Sequence, residues 1–102
     1  MKTQERIVSI MSAHPLMTRG GLSVKAVMKS GRKAYNLQYR RGPKYFVKNV
    51  PPEALSAYER STECFRAFMK LVNRYVDEES GRAMRIIDKE ARRARRETKK
   101  AR

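Results

Sequence analysis

The sequence predicts an α+β protein in which a three-stranded antiparallel sheet packs on a long amphipathic helix. Two hydrophobic patterns lead to this prediction. Between about residues 22 and 50, apolar and polar residues alternate, and two short glycine-containing turns divide this stretch into three runs. After Pro51-Pro52 the apolar residues recur every three or four positions, which is typical of a helix. With 102 residues, the chain is long enough for one small domain.

A short helix is predicted ahead of the sheet, over residues 3–11. Thr3 is suited to the N-cap position and Glu5 lies in the first turn. The apolar face of this helix contains Ile7, Ile10 and Met11. Pro15 and the Gly20-Gly21 pair then end the helix and indicate a loop before the first strand.

The three alternating runs predict an antiparallel meander with turns at Gly31 and at Gly42-Pro43. The runs read LSVKAVMK, KAYNLQYR and YFVKNV. One face, expected to contact the helix, is apolar and aromatic, and it contains Leu22, Val24, Tyr35, Leu37, Tyr39, Tyr45 and Val47. The opposite face is mostly amide and ammonium, with Val27 and Phe46 as its apolar exceptions.

The helix predicted over about residues 52–78 carries two adjacent apolar seams. The first contains Leu55, Tyr58, Phe65, Met69, Val72 and Val76, and the second contains Ala54, Ala57, Cys64, Phe68, Leu71 and Tyr75. Contact with the sheet needs only one seam, so we predict that the other meets a second copy of the chain or a larger protein. Gly81 is a predicted stop or hinge. It would separate a domain over residues 1–81 from a basic C-terminal helix or tail over residues 82–102.

The formal net charge of +15 is concentrated in two blocks. Residues 1–50 contain eleven basic residues and one acid, Glu5, while residues 82–102 contain ten basic residues and three acids. The middle block, residues 51–81, contains four basic residues and six acids. Two positive blocks around a nearly neutral middle favour two contacts with a polyanion.

Candidate nucleic-acid-binding residues follow from this distribution. On the outer sheet face they are Lys25, Asn36, Gln38, Arg40, Lys44 and Lys48. Amide side chains can read adenine edges and basic ones can read guanine or neutralise phosphates, and a β-ribbon fits the major groove of B-DNA. On the C-terminal helix the candidates share a third of the circumference: Arg82, Arg85, Lys89, Arg92, Arg93 and Arg96. The opposite side of that helix is a thin apolar spine of Met84, Ile87, Ala91 and Ala94.

Catalytic motifs are absent from the sequence, so we predict a protein without enzymatic activity, metal or cofactor. There is no Walker loop and no Gly-x-Ser-x-Gly motif. Cys64 and His14 are the only residues of their types, which excludes an internal disulfide and His-pair metal motifs. The N-terminus has no apolar stretch of signal-peptide length, and no window approaches a membrane span. The basic helix also lacks the large apolar residues of membrane-surface helices. We therefore expect no membrane contact and a cytoplasmic protein, either nucleoid-associated or within a nucleoprotein complex.

Two resemblances bear on the fold. Residues 34–76, with Tyr35, Leu37 and Tyr39, the Val50-Pro51 boundary and the helix after it, resemble an uncharacterised prokaryotic family of small proteins. Members of that family usually carry a cysteine cluster before the tyrosine strand, whereas this chain reads VMKSGRK there, so any metal site at this position is missing. The order of three strands and a helix is also similar to the sheet DNA-binding domains of arm-type integrases. Both resemblances concern the fold more than the activity.

The sequence thus leads to one preferred function and two alternatives. The preferred function is an accessory DNA-binding protein that uses the sheet face and the basic helix. One alternative is an RNA-binding structural subunit of a larger assembly, and the other is an interaction module for an acidic protein. Readers of single-stranded RNA expose aromatics on the sheet. The orientation of Tyr35, Tyr39 and Tyr45 is therefore the feature that discriminates between DNA and RNA.

Overall fold

The computed structural model describes the backbone of residues 2–100 and the side chains of residues 2–98. In chain order its elements are α1 (Thr3–Ala13), β1 (Gly21–Val27), β2 (Lys33–Arg41), β3 (Lys44–Val50), a 3-10 turn (Pro52–Ala54) and α2 (Leu55–Lys100). The strands form one antiparallel sheet in the order β1-β2-β3. The predicted α+β fold, with a short helix before the sheet and a long helix after it, is confirmed.

Helix α1 begins one residue earlier than an N-cap at Thr3 would require. Lys2 occupies the N-cap position without a side-chain capping bond. Thr3 is instead buried, and its hydroxyl donates a hydrogen bond of 2.9 Å to Oε1 of Glu78 on α2. The helix ends at His14, whose left-handed conformation (φ 51°) allows its N–H to bond to the Met11 carbonyl.

The turn between β2 and β3 sets the register of the sheet. Arg41 pairs with Lys44, so the loop consists of Gly42 and Pro43 alone. Gly42 has a φ of 59°, which suits the first central position of a tight hairpin turn, and the proline ring suits the second. Because side chains alternate along a strand, this loop places odd-numbered residues of β2 on the same face as even-numbered residues of β3.

The prediction for the faces of β3 is therefore wrong. Tyr45 and Val47 pair with Arg40 and Gln38, so they lie on the outer face rather than the apolar one. Phe46, Lys48 and Val50 pair with Tyr39, Leu37 and Tyr35, so they lie on the inner face toward α2. The period of two is correct, but its phase follows from the loop length and not from the apolar content of the strand.

Strand β1 contains a bulge at Lys25. Val24 pairs with Tyr35 and Ala26 pairs with Ala34, so Lys25 is the extra residue of the strand. Beyond the bulge the alternation shifts, and Val27 pairs with Lys33 on the inner side of the sheet. The predicted outer position of Val27 is consequently wrong. The alternation of apolar and polar residues in the sequence does not reveal an inserted residue of this kind.

The hydrophobic core is small and lies between the sheet and the first turns of α2. Leu37 and Val50 are the buried apolar side chains of the described residues, at 2% and 4% exposure. Ser61 and Thr62 of α2 are buried as well, and the Thr62 hydroxyl donates a hydrogen bond of 2.9 Å to the Tyr58 carbonyl oxygen. The solvent-accessible area is 8837 Å², whereas a compact monomer of this mass exposes about 6,000 Å². Extended shape accounts for the excess, since the molecule measures 83 × 32 × 18 Å.

Helix α1 packs on α2 and covers its second apolar seam. Thr3 reaches Glu78, and the half-buried side chains Ile7 and Ile10 follow Thr3 on one face of α1. On α2, the seam residues Cys64, Phe68, Leu71 and Tyr75 are all half-buried. The second seam is thus half-buried within the chain. Contact of residues 52–77 with a second copy or a larger protein stays a prediction.

Helix α2 continues through Gly81, so the predicted stop or hinge is wrong. The helix has 46 residues, and the segment predicted as a separate basic helix is its second half. A glycine in a helix interior costs about 1 kcal/mol relative to alanine, too little to stop a long run of good helix formers. An ion pair of 3.1 Å between Glu79 and Arg82 also spans this position. Residues 101 and 102 of the predicted segment lie outside the described residues.

Candidate nucleic-acid interface

The outer sheet face is centred on β2, the middle strand of the sheet. Asn36, Gln38 and Arg40 alternate along β2, as predicted, and the register adds partners that the sequence did not identify. Those partners are Ser23 on β1 and Tyr45, Val47 and Asn49 on β3. Asn36 lies between Ser23 and Asn49, which creates a row of small hydrogen-bonding groups across the sheet.

Three side chains at one end of this face contact each other. The Tyr45 hydroxyl donates a hydrogen bond of 2.6 Å to Oε1 of Gln38. The Arg40 guanidinium carbon lies 5.9 Å from the centre of the Tyr45 ring, within the range of a cation–π contact. The phenol thereby restrains both an amide and a guanidinium, the two groups best suited to read base edges. The tyrosine is 55% exposed, so this cluster is open to a ligand.

Lys44 and Lys48, predicted on the outer face, are not there. The register places both on the side of Leu37 and Tyr39, because each pairs with an odd-numbered residue of β2. Lys48 Nζ lies 5.8 Å from the centre of the Tyr58 ring on α2. Hydrogen bonding to Tyr58, and the electrostatic attraction of the same phenol, raise the pKa of Lys48. Lys48 therefore serves the contact between sheet and helix, and only its exposed position makes it available to a polyanion.

The positive charge of the sheet is concentrated at its turns. Lys25 is exposed at the bulge, and further cations that the site prediction omitted lie at both ends of β2. These are Arg32 and Lys33 at one end and Arg41 at the other, all exposed. No acid occurs between Glu5 and Glu53, so the whole sheet is free of carboxylates. Signals for these residues are present in the sequence, as basic residues next to the glycine turns.

The basic residues of α2 form a second surface. Arg85, Lys89, Arg92, Arg93 and Arg96 line a single open groove along the helix, together with Asp88, and all are exposed. The predicted sharing of one face is therefore found in the structure. Arg82 differs, because its Nε bonds to Oε2 of Glu79 at 3.1 Å. Within residues 2–98 no carboxylate lies within 4.0 Å of the other five basic groups, so their charge is available to an external anion.

The three sheet tyrosines divide between the two faces. Tyr35 and Tyr39 lie on the inner face and are half-buried, and Tyr39 stacks on Phe46 with ring centres 5.1 Å apart. Tyr45 alone of the three faces outward. A stacking platform for single-stranded RNA usually presents two or three aromatics, whereas the outer face presents one of these three tyrosines.

Two other kinds of site are not found among the described residues. None of their helices combines the length and apolarity that a membrane crossing requires. They contain no group of three or more His, Cys, Asp or Glu side chains that could hold a metal ion. The basic groove on α2 is lined by five cations and one acid, a lining that suits an extended anion better than a small substrate.

Comparison with protein-family models, with curated proteins and with solved structures gives no match for this chain. The resemblance to the prokaryotic family of small proteins consequently stays a prediction, as does the similarity to the sheet domains of integrases. Evidence about function therefore comes from the outer sheet face and the basic groove of α2.

Proposed function

We propose that this protein binds duplex nucleic acid, preferentially DNA, and has no catalytic activity of its own. The observation that carries this proposal is the groove of α2, where five exposed cations share one face without an ion-pair partner among the described residues. Like charges three and four residues apart repel each other by a few tenths of a kcal/mol per pair. A row of phosphates removes that repulsion and releases condensed counterions, which makes binding favourable.

The outer sheet face supports a second, selective role. Its centre strand offers Asn36, Gln38 and Arg40, the residue types that form paired hydrogen bonds with adenine and guanine. A sheet of this width can enter the major groove, whereas the inward position of Tyr35 and Tyr39 leaves no platform for several unpaired bases. On these grounds we assign base contacts to the sheet and phosphate contacts mainly to α2. We also propose that the protein acts in the cytoplasm, either associated with the nucleoid or within a nucleoprotein complex.

A competition experiment across a salt series tests this function. Labelled duplex DNA is displaced by unlabelled duplex DNA, single-stranded DNA or structured RNA, and the affinity is measured at each salt concentration. Neutralisation of about six to eight phosphates should give a log–log slope of about −5 to −7 for duplex DNA. Preference for structured RNA would instead support a structural subunit of a ribonucleoprotein. A slope shallower than about −2 would contradict polyanion binding and favour an acidic protein partner.

A further inference from the structure

The sheet and the basic groove occupy different sides of α2. The sheet packs on the side that carries Tyr58, Thr62 and Phe65, where Thr62 is buried and Arg19 from the strand-entry loop lies 5.9 Å from the Phe65 ring. At about 100° per residue, the mean direction of the groove residues is turned about 160° away from that side. The basic groove therefore points away from the sheet.

The position of α1 supports this assignment over a shorter stretch of α2. Thr3 of α1 bonds to Glu78, and Lys2, Gln4, Arg74 and Tyr75 surround the same place on α2. Four and seven residues beyond Glu78 on the same side of the helix come Arg82 and Arg85. The basic groove is thus the continuation of the α1 side of α2, while the sheet occupies the other side.

The two surfaces are also far apart along the helix. From Thr62 at the sheet contact to Lys89 at the middle of the groove, α2 rises about 40 Å at 1.5 Å per residue. The inner face of the sheet is used for packing on α2, so the outer face with Gln38 and Tyr45 looks outward from the molecule. The outer sheet face and the basic groove consequently point in nearly opposite directions.

We propose that the protein bridges two separate duplex segments, one on the outer sheet face and one on the basic groove of α2. This proposal rests on the proposed function, since it assumes that both surfaces bind duplex. One short duplex cannot serve both surfaces, because DNA keeps its direction over about 500 Å and would have to curve around a molecule only 32 Å across.

The two bridged segments would be recognised differently. The sheet presents amides and a restrained guanidinium, which can select a base sequence. The groove presents five cations, which contact phosphates. Phosphate contacts carry no information about base sequence, so the groove accepts any duplex. The molecule would therefore hold a chosen site next to an arbitrary stretch of duplex.

A two-duplex capture assay with the full chain tests the bridge. One rigid duplex of about 20 base pairs, far below the persistence length, is fixed to beads, and a second carries a fluorophore. Protein is added until the fixed duplex is saturated, unbound protein is washed away, the second duplex is added, and captured fluorescence is measured. The parent protein should capture the second duplex, because each bound molecule still presents its other surface.

Three variants complete the design. The groove variant carries Lys89→Gln, Arg92→Gln and Arg93→Gln, and the sheet variant carries Asn36→Ala, Gln38→Ala and Arg40→Gln. The control variant loses three exposed cations outside both surfaces, through Arg60→Gln, Arg66→Gln and Lys70→Gln. We expect the first two, each at its own saturating concentration, to bind the fixed duplex and to capture no second one, while the control captures like the parent.

The outcomes separate the bridge from the proposed function. If the parent binds neither duplex, the proposed function itself fails. If it binds one duplex with the expected salt slope but captures no second, only the bridge is overturned. A mixture of the groove and sheet variants should also fail to capture. Restored capture in that mixture would show that associating copies make the bridge, and it would overturn the assignment of both surfaces to one molecule.

Discussion

The Tyr45 hydroxyl lies 2.6 Å from Oε1 of Gln38, and this hydrogen bond joins β3 to β2 on the exposed face of the sheet. Glutamine side chains at a surface normally sample several rotamers, and ordering one costs free energy on binding. Here the phenol restrains the amide in advance. Its Oε1 retains a second lone pair and its NH₂ group remains free of side-chain partners among the described residues, so the amide can still meet a base edge.

We therefore predict that Tyr45→Phe reduces discrimination between duplex sequences more than it reduces overall affinity. The ring remains beside Arg40, while the orienting bond, worth about 0.5–1.5 kcal/mol, is removed. Asn36→Ala and Gln38→Ala should each cost about 1–3 kcal/mol at the preferred sequence. The preferred sequence comes from selection on a randomised duplex library, and affinities are then compared with a scrambled duplex. Identical discrimination by the parent and all three variants would show that this face does not read bases.

A second prediction separates two cations that the sequence pattern places together. Arg40 lies on the outer face, whereas Lys48 lies on the inner face over Tyr58. Arg40→Ala should weaken binding at the preferred sequence by about 1–3 kcal/mol and reduce discrimination against other sequences, with thermal stability unchanged. Lys48→Ala should leave binding unchanged and lower the unfolding temperature, because it removes an interaction between sheet and helix. Equal effects of both variants on binding would contradict the register of β3.

The charge of Lys48 gives this interaction a defined pH dependence. Its pKa in the folded protein is raised above 10.5, so its contribution to stability is complete below that pH and disappears as the pH rises through the raised value. The stability difference between the parent and Lys48→Ala should stay constant from about pH 6 to 9 and shrink at higher pH. Urea unfolding at a series of pH values measures it, and a difference that grows above pH 10.5 would exclude this role.

The sheet shows which information local sequence contains and where its pattern misleads. The alternation of β2 correctly places Leu37 inward and Gln38 outward. The phase of β3 is also contained in the sequence, because a loop of only Gly42 and Pro43 determines which residues pair, but apolar content suggests the opposite phase. The bulge at Lys25 is not contained there, since one inserted residue changes the pairing without changing the residue types.

The helices show the limit set by tertiary contacts. Both seams of α2 are readable from their spacing, but the partner of the second seam is not, because spacing does not reveal which apolar face docks on which. Thr3 is the clearest instance: its residue type suits an N-cap, and it is used instead to bond Glu78 across 75 positions. Gly81 suggests a stop through a local preference of about 1 kcal/mol, which the length of α2 outweighs.

Alanine substitutions at Gly20 and Gly81 should have opposite effects on the free energy of unfolding. Gly20 has a φ of 111°, and a Cβ there would lie 2.4 Å from the Gln38 carbonyl oxygen and 2.8 Å from Tyr39 Cβ. Gly20→Ala should therefore lower the free energy of unfolding by at least about 1–3 kcal/mol. Gly81 is helical and has open space, with only the flexible end of Arg85 at 3.6 Å. Gly81→Ala should raise the free energy of unfolding by about 0.5–1 kcal/mol.

Urea unfolding of the two glycine variants and the parent provides the measurement. Gly31→Ala is a useful third variant, because Gly31 shares a positive φ of 84° but has nothing near a new Cβ. Its destabilisation should be smaller than that of Gly20→Ala, since only the backbone conformation is strained. A lower free energy of unfolding for Gly81→Ala would contradict a continuous α2 and would support the hinge at Gly81 that the sequence suggests.

Removal of residues 82–102 should leave a folded protein that binds duplex more weakly and with less salt dependence. The truncated chain keeps the bond between Thr3 and Glu78, both seams of α2, and the core around Leu37. Met84 and Ile87, the large residues of the spine, are 59% and 60% exposed, so their removal sacrifices little buried area. The free energy of unfolding should change by less than about 0.5–1 kcal/mol.

Binding by the truncated chain should weaken about equally for every duplex sequence, because phosphate contacts carry no sequence information. The salt slope should become shallower by about 0.9 for each phosphate that the groove no longer neutralises. Circular dichroism and urea unfolding check the fold, and the salt series checks the binding. A truncated chain that unfolds would mean that the spine of Met84 and Ile87 is part of the core, and one that binds with an unchanged slope would remove the basic groove of α2 from the interface.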